Sequence, residues 1–123
     1  MSESTHPENA PRLLVERIDR MTTLRFPRGI VDGITVREMF EATASLMDHH
    51  GIRMLIDFTG VGMVPSGAMG MLVTIRKKLM HVGGQLHVAV PDPNVKQTFI
   101  ITRLDQLLSL FDTAEAALAA FKA

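Results

Sequence analysis

The chain has no cysteine, tryptophan or tyrosine, and its only aromatics are six phenylalanines in 123 residues. Without cysteine there is no disulfide framework, no thiolate nucleophile and no Cys-based zinc site, a composition compatible with a reducing compartment. Net charge is missing too. Thirteen Lys and Arg balance thirteen Asp and Glu, so the chain lacks the overall electrostatic footprint of a nucleic-acid or anionic-membrane binder. No apolar run approaches the ~18 residues of a membrane span, and direct membrane insertion is not expected. The start, MSESTHPENAP, has no signal-peptide core; residues 1–12 read as a disordered tail ahead of one domain over residues 13–123, with a cytoplasmic location expected.

What is present is a patterned core, with a hydrophobic fraction of 46%. Residues 13–18 and 21–26 read as two strands of a hairpin around Asp19-Arg20. After a loop over residues 27–33, Thr35 and Glu38 have capping-box spacing, and Val36, Met39, Phe40, Thr43 and Met47 share one helical face up to Gly51. Met54-Leu55-Ile56 does not alternate, which predicts a central strand buried on both faces. The next helix starts near Ser66, an N-cap candidate, buries Ala68, Leu72, Ile75 and Leu79, and closes at Gly83-Gly84. Residues 85–90 form a strand. Asp92-Pro93 opens a short helix carrying Val95 and Phe99. Residues 108–111 form a last strand, and Asp112 with Glu115 caps a final helix that packs through Ala114, Ala117, Leu118 and Phe121. The order β-β-α-β-α-β-α-β-α predicts an α/β fold: a mixed sheet of about five short strands flanked by about four helices.

The loop from Thr59 to Pro65 follows the predicted central strand, where ligands meet such sheets. Three catalytic readings fail on named residues. A dinucleotide fingerprint finds Gly60 and Gly62 but Pro65 at its third glycine. A phosphate-binding P-loop finds Gly62 and Gly67, but Ala68-Met69 replaces the lysine and hydroxyl that hold phosphate and magnesium. A nucleophile elbow around Ser66 lacks both flanking glycines and a distal histidine. His49, His50 and His81 fall in predicted last turns, where the helix dipole suits them, and have no partners at metal-ligand spacing. His87, in a strand, reads as packed or hydrogen-bonded. No enzyme activity, cofactor or metal is expected.

The helix surface opposite the buried stripe presents Gly67, Gly70, Met71, Thr74 and Lys78. Small residues beside a flexible methionine make a flat, adaptable surface for a protein partner. A hydroxyl at its edge is placed for modification, and a phosphate there suits the start of a helix.

At these residues the sequence resembles the STAS domain of anti-sigma factor antagonists and sulfate-transporter tails. Asp57-Phe58-Thr59-Gly60 matches the family's strand-end turn, and Pro65-Ser66-Gly67-Ala68-Met69-Gly70 aligns without gaps with its Asp-Ser-Ser-Gly-Leu-Gly. Gly83 to Leu86, Pro93 to Val95, Leu104 and Glu115 to Leu118 match later landmarks. The resemblance implies a STAS fold and a non-catalytic switch. Ser66 aligns with the serine phosphorylated by a partner kinase that is also the anti-sigma factor, and Gly62, Met63, Val64, Pro65, Gly67, Gly70, Met71 and Thr74 are the expected partner-binding positions. Pro65 replaces the usual aspartate, Gly67 the second serine and Ala68 the glycine. The alternative, favoured by that altered motif, is a STAS subunit of an ABC-type lipid transporter that meets the transporter ATPase without phosphorylation.

Overall fold

The computed structural model describes residues 13–121. The tail expected over residues 1–12 lies outside the described residues. Seven strands and four helices follow in the order β1 (Leu14–Ile18), β2 (Met21–Arg25), β3 (Gly29–Ile30), α1 (Gly33–Ala44), β4 (Arg53–Asp57), β5 (Val61–Met63), α2 (Ser66–His81), β6 (Gln85–Ala89), α3 (Pro93–Ile101), β7 (Ser109–Phe111) and α4 (Ala114–Ala119). The main sheet has the order β1-β2-β4-β6-β7. Strands β2, β4, β6 and β7 run parallel, and β1 turns back antiparallel on β2. That reversal needs only Asp19-Arg20, with Asp19 at φ 56°, because a two-residue hairpin turn takes up positive φ and Asp tolerates it.

β4 holds the centre, and Met54, Leu55, Ile56 and Asp57 are all buried. Side chains alternate across a strand. Met54 and Ile56 therefore join Met39, Leu72, Ile75, Leu79 and Phe99 in a large cluster fed by α1, α2 and α3. Leu55 points the other way, into a smaller cluster with Ala89, Ala117 and Phe121. His87 belongs to that second layer. Its Nδ1 lies 2.9 Å from the Ala117 carbonyl oxygen, so it carries the proton and donates, while the ring stacks on Phe121 with centroids 3.8 Å apart.

Several boundaries differ from the sequence reading. α1 is capped by Asp32, whose carboxylate accepts from the Thr35 amide at 2.8 Å while Thr35 Oγ1 accepts from the Asp32 amide. Thr35 is thus the third helical residue of the box, and Glu38 accepts instead from the Leu13 amide at 3.0 Å. The helix stops at Ala44, well before Gly51, leaving His49 and His50 in a following turn. α4 is capped by Thr113, since Asp112 pairs with Lys96, and Leu118 is exposed rather than packed. β3 and β5 form a second, two-stranded parallel sheet that the periodicity did not reveal. This small sheet shapes the loop before α2.

Candidate functional site

The segment from Asp57 to Ser66 connects the central strand to α2. Its first half is tied down. The buried Asp57 carboxylate accepts from the Thr59 amide at 2.9 Å, from Thr59 Oγ1 at 2.6 Å and from Arg25 Nε at 3.3 Å. Three donors on one buried carboxylate offset its desolvation and fix the direction of the chain as it leaves the sheet. Gly60 then turns at φ +85° under the Arg28 side chain, whose Cγ would stand 2.9 Å from any Cβ added there. Val61 and Val64 are buried, and β5 is held to β3 through Gly29 N–H to the Gly60 carbonyl at 3.0 Å and Val31 N–H to the Met63 carbonyl at 3.1 Å.

The second half faces solvent. Gly62, Met63, Pro65, Ser66 and Gly67 are exposed. Pro65 occupies the N-cap position at φ −62°, ψ 152°, and supplies no side-chain cap. Its carbonyl accepts the first helical bond, from Met69 N–H at 3.1 Å. Ser66 is consequently the first helical residue and not the cap, a correction of one position. Its hydroxyl makes no hydrogen bond among the described residues, so the serine takes no part in holding the helix.

The stripe of α2 expected to be buried is buried: Ala68, Leu72, Ile75 and Leu79, joined by Met69. Its opposite side carries Ser66, Gly67, Gly70 and Thr74, all exposed, with Lys77 further along. Met71 is half-buried against the core, and Lys78 leans over the Phe40 ring of α1 at 5.8 Å from its centroid. A Cβ placed on Gly67 or Gly70 would meet nothing within 4 Å. Glycine inside a helix costs about 0.5–1 kcal/mol relative to alanine. Nothing among the described residues requires that cost at either position.

Of the expected partner-binding positions, Gly62, Met63, Pro65, Gly67, Gly70 and Thr74 are exposed on the loop and helix that meet at Ser66. Met71 is half-buried. Val64 is a correction: at 7% exposure it is a core residue that anchors the loop from beneath. Two residues were missed. Ile30, opposite Met63 in the small sheet, and Ile34, in the first turn of α1, are 65% and 53% exposed, while Met63 is 55% exposed. Their sequence signal was faint: isolated apolar residues within and just after PRGIVDG, the stretch read as loop. No three metal-ligating side chains cluster among the described residues. No described helix is long and apolar enough to cross a membrane.

Comparison with known proteins agrees with the fold. The family model for the STAS domain matches residues 12–117. BtrV of Bordetella bronchiseptica, named as an anti-sigma factor antagonist, is 24% identical over 111 residues, covering 90% of this chain and 95% of BtrV. Among solved structures, an anti-sigma-factor antagonist (STAS) domain protein from Planctomyces limnophilus superposes with a TM-score of 0.73 at 21% identity, covering 89% of this chain and 97% of that one. The anti-sigma factor antagonist SpoIIAA has been solved in unphosphorylated form, with a TM-score of 0.65 at 15% identity and coverage of 87% and 94%. In its phosphorylated form, from Bacillus, the values are 0.64 and 19%, with coverage of 87% and 96%.

Proposed function

The chain belongs to the STAS domain family, and from that premise we propose that it is a non-catalytic binding module of the anti-sigma factor antagonist kind, switched by phosphorylation at Ser66. The partner is an anti-sigma factor that is also a serine kinase. Unphosphorylated protein binds it, and phosphorylated protein is released. One observation carries the reading: an exposed Ser66 hydroxyl, unbonded among the described residues, opens a helix face kept small by Gly67 and Gly70, where nothing among those residues demands glycine.

The physical argument follows from that geometry. A docking surface without Cβ atoms lets a partner's backbone approach closely, and exposed Met63, with Ile30 opposite it in the small sheet, supplies apolar area on the adjoining loop. A phosphate on Ser66 adds roughly two negative charges and three acceptor oxygens at the edge of that contact. The start of α2 tolerates the charge, because helix N-termini favour anions. A desolvated interface does not, unless it carries a counter-ion. The fold survives modification and the complex does not.

Incubation with the cognate kinase and ATP, followed by mass mapping, should add one phosphate, at Ser66, and none to Ser66→Ala. Phosphate confined to another residue would overturn the switch. The motif Pro65-Ser66-Gly67-Ala68, which lacks the family's usual aspartate, favours one other reading: a transporter-associated STAS subunit. Affinity purification separates the two. A small ATP-binding kinase supports the sigma switch, whereas an ATPase with a permease supports transport.

A further inference from the structure

We propose that the carboxyl-terminal half of α2 is a second docking surface, for an acidic segment of a protein partner. It lies further along the helix than Ser66: Arg76 and Lys77 stand ten and eleven positions on, roughly 15–17 Å at 1.5 Å per residue.

Charge on this otherwise neutral chain is unevenly placed. The sixteen residues of α2 include Arg76, Lys77, Lys78 and His81 and not one acidic residue. None of Arg76, Lys77 and Lys78 forms an ion pair among the described residues. The helix dipole accounts for Lys78 and His81, which stand in the last turn. It does not account for Arg76 and Lys77, because the effect fades beyond the terminal turn.

Shape supports the same reading. Two surface hollows, of about 370 and 310 Å³, share Met80 in their linings. Lys77 and His81 line the first; Arg76, Gln85, His87 and Ser109 are among those lining the second, and no acidic side chain lines either. Met80 itself is 55% exposed. An exposed apolar side chain shared by two hollows, with cations in their linings, fits a chain that alternates carboxylates with an apolar anchor. Carboxylates would meet Arg76 and Lys77, and an apolar side chain would lie against Met80, whose flexible thioether adapts to its neighbour. Duplex nucleic acid and lipid surfaces fit less well, since both need a broad cationic field and this chain has a formal net charge of zero. Ser66 lines neither hollow, so a phosphate there leaves this surface in place.

The test uses the full chain and a fluorescein-labelled peptide of Glu and Leu in a two-to-one ratio, followed by anisotropy. Saturable binding is expected. It should weaken about ten-fold in the Arg76→Glu, Lys77→Glu double variant and fall as salt rises. Ser66→Asp should leave it unchanged, and Met80→Ala should weaken it about three-fold through lost apolar contact. If circular dichroism shows that the double variant is not folded, Lys77→Gln with the same salt titration decides the matter, an unchanged affinity overturning the proposal. The proposal also fails if the wild-type chain shows no saturable binding, or if a Lys-Leu peptide binds equally well. It fails if the folded double variant binds as the wild type does, or if phosphatidylserine vesicles or a DNA duplex bind more tightly than the acidic peptide.

Discussion

Three of the four helices begin with a side chain closing the first turn, and the longest does not. Asp32, Asp92 and Thr113 each accept hydrogen bonds from amides at the starts of α1, α3 and α4. At α2 the cap position is held by Pro65, and Ser66, a residue type well suited to capping, stands one place too late to cap. The difference teaches that α2 is held by its buried stripe and by the loop beneath it, leaving the hydroxyl at its start outside the architecture. The same contrast divides the preceding loop. Asp57, Val61 and Val64 are bonded or buried, whereas Met63, Pro65 and Ser66 face solvent.

Substitutions on the two sides of this contrast should behave differently. The largest effect is expected at Asp57→Ala, which leaves the Thr59 amide and Arg25 without their acceptor. Chemical denaturation should show a loss of about 3 kcal/mol, moderated by the half-exposed position of Arg25. Asp32→Ala removes a working cap and should cost about 1 kcal/mol by the same measurement. Ser66→Ala should change stability by less than about 0.5 kcal/mol, as surface substitutions do. Gly70→Ala should have the opposite sign, stabilising the fold by about 0.5–1 kcal/mol while weakening the partner by calorimetry. The smallest effect concerns pH. The Thr35 amide, donating to Asp32, holds that carboxyl below its ordinary value despite some desolvation. A lowered folded-state pKa stabilises above the unfolded value of about 3.9 and is lost as pH falls through the folded one. Asp32→Asn should therefore flatten the stability profile below about pH 4 and not above it.

Much of the architecture was legible because it rests on periodicity and burial. The non-alternating run at Met54 to Ile56 marked the central strand, and the i, i+3, i+4 spacing from Ala68 to Leu79 marked the buried side of α2. Helix starts were less legible because candidate caps compete locally. Thr35 and Asp32 are both good capping residues, and only the fold shows that Glu38 is occupied by the Leu13 amide. β3 and β5 escaped notice because two or three residues carry no period. That gap propagated to the site: without the small sheet, Val64 read as a partner-binding position, and Ile30 was not seen beside Met63. Ser66 stood out in the sequence as a hydroxyl at the edge of a flat helix surface and by its motif, while its freedom from capping needed the backbone geometry.

The most direct test of that freedom is to measure Ser66→Asp in one preparation for both unfolding free energy and affinity for the kinase partner. Stability should stay within about 0.5 kcal/mol of the unmodified chain, since acid at a helix start is tolerated or mildly favourable. Affinity should fall about thirty-fold, the equivalent of about 2 kcal/mol, as charge enters a desolvated contact. A variant that melts early yet holds the partner at full strength would contradict the account and make Ser66 a structural residue.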